Sequence, residues 1–201
     1  MVFGSGRREK DREKFGERIP PNQYVVDDWP VLTYGPTPKV DLDKWRLRLF
    51  GEVESEVELT WEQFTSLPVS TTDVDIHCVT GWSRFDNHWE GVAFRDLLSQ
   101  VQPKPGTKAV MAHSYGGYTT NILLSDLMQD NVMVAYKHDG NPLEIDHGGP
   151  ARLMVPHLYF WKSAKWLHAL QFLPDDKPGF WEVNGYHIRG DPWKEERYSN
   201  W

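Results

Sequence analysis

Prolines and glycines, 14 and 16 of them in 201 residues, break this chain into short segments and limit what it can fold into. Proline fixes φ and removes a backbone donor, so neither a long helix nor a long central strand passes through it. The longest apolar stretch, residues 153–161, itself contains Pro156 and His157. It falls far below the roughly 20 residues needed to cross a bilayer. Short strands are expected at residues 45–49, 57–59, 73–78, 109–112, 132–136, 151–155 and 166–172, and short helices at 61–66, 94–101 and 125–129. Thr60 and Gln63 match a capping box. Many short strands with few short helices predict a mixed α+β domain rather than a regular βαβ series.

Charge narrows the partners. With 22 basic and 29 acidic residues the net charge is −7, which opposes attraction to nucleic acid or anionic lipid. The single cysteine, Cys78, cannot form an intramolecular disulfide, which fits a reducing compartment. The first twenty residues hold no apolar signal core, so a cytoplasmic protein is expected. Every residue from 7 to 14 is charged. That run suits a frayed helix or disordered arm, giving an expected division into a charged arm, 1–22, and one folded domain, 23–201.

Two segments can carry chemistry. In Asp75-Ile76-His77-Cys78-Val79-Thr80-Gly81-Trp82-Ser83-Arg84 a lone thiol ends a strand just before a glycine turn. Such a cysteine is by default a small buried hydrophobe, but with Arg84 nearby it also resembles a thiolate able to bind a soft metal. The second segment runs from His147-Gly148-Gly149 through Arg152 to Ser163-Ala164-Lys165. Paired glycines let a backbone approach a ligand, Arg152 can grip a phosphate and Lys165 can add a point charge. The plain alternative is a turn into a core strand with both cations reaching solvent. Phosphate loops, dinucleotide fingerprints, CxxC pairs, helical HExxH and serine-hydrolase elbows are absent.

Taken together, residues 76–92 (IHCVTGWSRFDNHWEGV), 112–121 (AHSYGGYTTN), 147–167 (HGGPARLMVPHLYFWKSAKWL) and 185–193 (GYHIRGDPW) resemble the molybdopterin-binding domain of the sulfite oxidase family. Within it the chain looks most like the small bacterial oxidoreductases built on the molybdenum domain alone. The resemblance implies the sulfite-oxidase-type α+β fold, a molybdenum ion with molybdopterin as cofactors, and Cys78 as the one protein ligand to the metal. It further implies cofactor contacts by His147, Arg152, Ser163, Ala164 and Lys165, with Tyr34, His113 and Ser114 nearby, and an active-site role for Tyr136. Sulfite oxidases carry an arginine in the segment matching residues 31–34 and paired basic residues after the cysteine. Here only Arg84 follows Cys78, which makes it the candidate to meet a polar or anionic substrate.

The expected activity is two-electron oxygen-atom transfer on a small oxyanion or an S- or N-oxide. With no haem segment or immunoglobulin-like dimerisation domain matched, a separate electron-transfer partner and a monomeric chain are expected. Two competing readings remain at this level. One is a zinc-dependent hydrolase using His77, His113 and His147. The other is a non-catalytic binding module built on the ten tryptophans and the Pro-rich loops.

Overall fold

The computed structural model describes residues 5–199. In chain order its strands are β1 (Tyr24–Val25), β2 (Arg46–Gly51), β3 (Val57–Thr60), β4 (Ser70–His77), β5 (Trp82–Ala93) and β6 (Ala109–Ser114). They continue with β7 (Thr119–Leu123), β8 (Met133–His138), β9 (Asn141–Pro142), β10 (Arg152–Met154) and β11 (Leu167–Leu173). The helices are α1 (Ser5–Phe15), α2 (Trp61–Thr65), α3 (Phe94–Leu98), α4 (Leu124–Leu127) and α5 (Phe180–Val183). The α+β expectation is met, and no described helix is long and apolar enough to cross a membrane.

Two mixed sheets organise these strands. The first has the order β1-β5-β8-β10, with β4 pairing β5 and β9 pairing β8; the second has the order β3-β2-β11-β6-β7. The hairpin of β2 and β3 and the Thr60–Gln63 capping box form as the sequence predicts. One apolar core gathers Trp45, Leu47 and Leu49 with Leu170 and Phe172 from the second sheet and Val92, Val134 and Leu153 from the first. A second core surrounds Cys78 with Ile76, Trp82, Trp89, Met154 and Phe160.

Three local differences from expectation matter. The alternating pattern of residues 73–78 predicts His77 on the face opposite Cys78, and that face is buried too, because His77 bonds Ser83 and packs against Trp193. Strand β5 goes unread in the sequence. Its buried positions include Ser83 and Asn87, whose side chains bond His77 and the Val74 carbonyl, so apolar alternation fails even though both of these polar side chains are paired. The charged arm is more than a solvated run. Over the described residues, α1 uses Asp11 to accept from the Val25 amide at 2.8 Å, and Arg7 donates to the Val25 carbonyl at 2.5 Å. These charges satisfy backbone groups of the edge strand β1 that would otherwise lack partners. Arg18 then pairs with Asp75 at 2.7 Å, and Ile19 is fully buried; residues 1–4 of the expected arm lie outside the described residues.

Phe172, 1 % exposed in the core that joins the sheets, gives a direct check on this packing. The Phe172→Ala variant is expected to lose about 3–5 kcal/mol of stability in urea unfolding; an unchanged midpoint would contradict the packing described.

Candidate functional site

A cavity of about 270 Å³ opens where the second core meets the loop of residues 29–34 and the segment after β11. Cys78, Arg152, Ser163, Ala164, Lys165 and Tyr34 all line it. The cavity therefore brings the two chemistry-bearing segments together.

Cys78 sits one residue past β4, its amide donating to the Trp82 carbonyl at 2.8 Å while the Gly81 amide donates back to the Cys78 carbonyl at 3.0 Å. That tight turn needs Gly81, whose φ of +105° lies in the left-handed region. Gln23 donates to the same carbonyl at 3.0 Å, and the Thr80 hydroxyl lies 3.2 Å from Sγ. The thiol is only 8 % exposed. Burial pushes its pKa up, opposed by the Thr80 hydrogen bond and by the charge of Arg197. This corrects the expectation of an exposed thiolate steadied by Arg84: free Cys78 is a protonated thiol, and a metal would have to displace its proton.

Arg152 is the unusual cation. It is 1 % exposed, and its two terminal nitrogens donate to the His147 and Ser163 carbonyls, each at 2.7 Å. Its guanidinium lies over Phe160 at 4.1 Å and within 5.5 Å of the Trp29 ring centre. Its Nε has no partner. Burial lowers its pKa to about 9, so it stays charged at neutral pH, and no carboxylate among the described residues offsets it. A buried cation without a counterion is costly, and a cavity beside it is where the missing anion belongs.

Lys165 adds a second positive charge, donating to the Asp146 carbonyl at 2.6 Å; burial first, then Arg152, lowers its pKa to about 8. His147 stacks on Trp29 with ring centres 3.9 Å apart, and its Nδ1 is buried without a partner. Burial, Lys165 and Arg152 lower the His147 pKa, so the ring is neutral. Gly148, at φ +109°, lets the backbone pass Lys165, whose Cα would stand 3.0 Å from any added Cβ. The Ser163 hydroxyl accepts from the Val155 amide at 2.9 Å and fixes the segment that carries Ala164 and Lys165. In the cavity, Arg152 with its orphaned Nε, Lys165 and the thiol fit an anionic pterin with a soft metal, while His147 and Gly148 stand outside the lining, against Trp29 and Lys165.

Besides His147, which does not line the cavity, four expected residues stand elsewhere. Arg84 donates to Asp139 at 2.9 Å and to the Asp27 carbonyl at 3.2 Å, and contacts Asn87 and His138, outside the cavity lining. Tyr136 is turned toward Phe64 and Trp61, with ring centres 6.0 and 6.2 Å away. His113 lies on the second sheet, 3.2 Å from the Gln171 side chain. Ser114 is buried beside Tyr118, its amide donating to the Tyr118 carbonyl at 2.9 Å, but does not line the cavity. The three histidines of the zinc reading do not converge, since His77 faces Ser83 and Trp193, and no cluster of three or more metal-ligating His, Cys, Asp or Glu exists among the described residues.

Sequence reasoning missed the aromatic lining. Trp29, Trp82, Tyr118, Trp161, Trp181 and Tyr186 all face the cavity, and the only hint was the tryptophan count. That placement also argues against a tryptophan-built interaction surface, because Trp45 and Trp89 are core residues.

Comparison with known proteins accords with this geometry. The family model described as the oxidoreductase molybdopterin binding domain matches residues 34–181. The uncharacterized oxidoreductase YuiH of Bacillus subtilis (strain 168) is 44 % identical over 200 residues, covering 99 % of each chain. Sulfite oxidase of Arabidopsis thaliana is 25 % identical over 205 residues, covering 83 % of this chain and 52 % of its own length. Among solved structures, the sulfane dehydrogenase SoxCD from Paracoccus pantotrophus superposes with a TM-score of 0.64 at 23 % identity. That match covers 69 % of this chain and 40 % of the SoxCD chain, and shows a shared fold.

The cationic cavity gives a test that needs no cofactor. Lys165 is charged below about 8 and loses its charge above it, so sulfate, whose own charge is constant there, should bind cofactor-free protein more weakly as pH rises through that value. Quenching of the tryptophans is the readout. The Lys165→Met variant should bind weakly at every pH, and a wild-type affinity flat from pH 6 to 9.5 would contradict the assignment.

Proposed function

Because the chain belongs to the oxidoreductase molybdopterin-binding family, with sulfite oxidase among its relatives, we propose that it transfers an oxygen atom to or from a small oxyanion or an S- or N-oxide, with Cys78 holding molybdenum. The observation that carries this reading is the shared cavity of the only thiol and a buried, counterion-free guanidinium. Bound molybdopterin supplies a dithiolene-held molybdenum that exchanges two electrons.

The chain's own groups have distinct tasks. Cys78 offers a soft ligand, poised by the Gly81 turn at the cavity wall and surrendering its proton on metal binding. Arg152 and Lys165 hold the phosphate, the first as a fork anchored by two carbonyls and the second as a point charge. The Ser163-Ala164 segment lines the cavity and is placed to meet the pterin's polar edge, with His147 outside the lining, stacked on Trp29. Trp29, stacked on His147 and near Arg152, closes this end against water, which strengthens every charge contact inside. Electrons pass to or from a separate protein partner, and the chain acts as a cytoplasmic monomer, a setting in keeping with one unpaired thiol.

Protein from a host that makes the cofactor should carry molybdenum at about one ion per chain. The Cys78→Ser variant should lose turnover and change its Mo(V) electron paramagnetic resonance signal. Wild-type protein free of molybdenum, or a serine variant with unaltered signal and rate, would overturn the reading.

A further inference from the structure

The turn that carries Cys78 is held by its carbonyls from both ends of the chain. The Gln23 side-chain amide donates to the Cys78 carbonyl at 3.0 Å, the Tyr24 backbone amide to the Gly81 carbonyl at 2.9 Å, and Arg197 to the Val79 carbonyl. Gln23 is 1 % exposed and its Oε1 has no partner, so its side chain is held by the bond to Cys78. A carbonyl only accepts, which fixes the amide nitrogen toward it. A Cβ at Gly81 would stand 3.1 Å from the Arg8 guanidinium, so α1 closes over the same turn. Every one of these residues that reach the turn lies outside 34–181, the span that the family model matches.

The two ends also hold each other. Asn22 donates to Glu195 at 2.6 Å, the Trp193 indole to the Glu17 carbonyl at 3.2 Å, and the second terminal nitrogen of Arg197 to the Pro21 carbonyl at 3.4 Å. Both partners of the first bond have left-handed backbone, with φ +58° at Asn22 and +53° at Glu195. That conformation is uncommon for a glutamate and persists where surrounding contacts over-determine it. Arg197 is therefore a bridge, with one nitrogen on the Cys78 turn and the other on the N-terminal segment.

We propose that Gln23 and Arg197 are positioning residues for Cys78, holding the turn of residues 78–81 by its carbonyls so that the sulfur meets a bound metal in one orientation. The proposal rests on Cys78 as the metal ligand and adds the means by which its direction is set. Within the turn, the backbone bonds of Cys78 with Trp82 and Gly81 fix the chain reversal. Bonds internal to a turn leave it free to rock as a body, whereas bonds from two other segments to residues 78, 79 and 81 tie it to the fold. Overlap between a thiolate and its metal depends on the torsion about the metal–sulfur bond, so a rocking turn would present a spread of geometries. Neither Gln23 nor Arg197 lines the cavity, and each acts through the turn alone.

Cys78 is the only thiol, so its alkylation by iodoacetamide in cofactor-free protein reads directly how firmly the turn is held. At one fixed pH, Gln23→Met, which keeps the length and the charge but loses the donor, should react about tenfold faster than wild type, as expected of one lost buried hydrogen bond. Glu195→Gly cuts the Asn22 tie at an exposed position where glycine suits the backbone, and should react about threefold faster whether or not Gln23→Met folds. In molybdenum-loaded protein, with metal content measured on every sample, Arg197→Met should shift and broaden the Mo(V) electron paramagnetic resonance signal. Arg197→Lys, which keeps one donor for the Val79 carbonyl, should return most of the wild-type shape. Alkylation at the wild-type rate in the folded variants, or a wild-type signal in Arg197→Met, overturns the positioning role and leaves ligation by Cys78 standing. A Cys78→Ser variant with an unaltered signal overturns the preceding reading and this one with it.

Discussion

The fork of Arg152 between the carbonyls of His147 and Ser163 is the contact on which the site depends. It joins the turn before β10 to the segment before β11, and so sets Ser163, Ala164 and Lys165 around one space. Two carbonyl hydrogen bonds and the Phe160 face steady the guanidinium without cancelling its charge. Net charge is conserved by such contacts, so the field inside the cavity remains positive. With Lys165 adding to it and the His147 ring neutral, the resting site is charged for an anion it does not itself contain.

The opposite wall follows a different economy of interactions. There the polar groups lie behind the rings, in the Lys162–Glu182 pair and its neighbours Asn121, Asp176 and Thr120. Unlike Arg152, the two charges of this network pair with each other. One side therefore supplies a field and the other supplies shape. Cys78 stands within a core shared with Tyr159, Phe160 and the partly buried Trp161 and Tyr186, so any metal it holds would meet both environments.

Much of the fold was legible because short elements carry local signals. The capping box at Thr60 and the alternation of Trp45, Leu47 and Leu49 are of this kind. Strand β5 was not legible, since its buried Ser83 and Asn87 are stabilised by partners on the neighbouring strand β4. In the site, Cys78, Arg152 and Lys165 could be named in advance because they sit in two segments with recognisable residue types, while Ser163, Ala164 and Tyr34 came only from the family resemblance. Tyr136 could not be placed, because register decides it. Ala135 pairs with Arg152 across β8 and β10, so the next residue projects from the other side of the sheet, toward Phe64. Arg84 is near Cys78 in sequence, but its pairing opposite Ile76 and its bond to Asp139 take it elsewhere. The aromatic wall gave no warning, since isolated tryptophans in a sequence do not reveal whether they fill a core or line a hollow.

A bound anion that answers the Arg152 charge must stabilise the folded chain through that residue. Thermal unfolding of cofactor-loaded and cofactor-free protein, compared between wild type and the Arg152→Met variant, measures this linkage directly. Loaded wild type should melt well above the cofactor-free form, and the gap should collapse in the variant even where its cofactor-free form melts near the wild-type value. A gap of equal size in both proteins would show that the guanidinium serves packing alone and contradict its role as the cofactor's counterion.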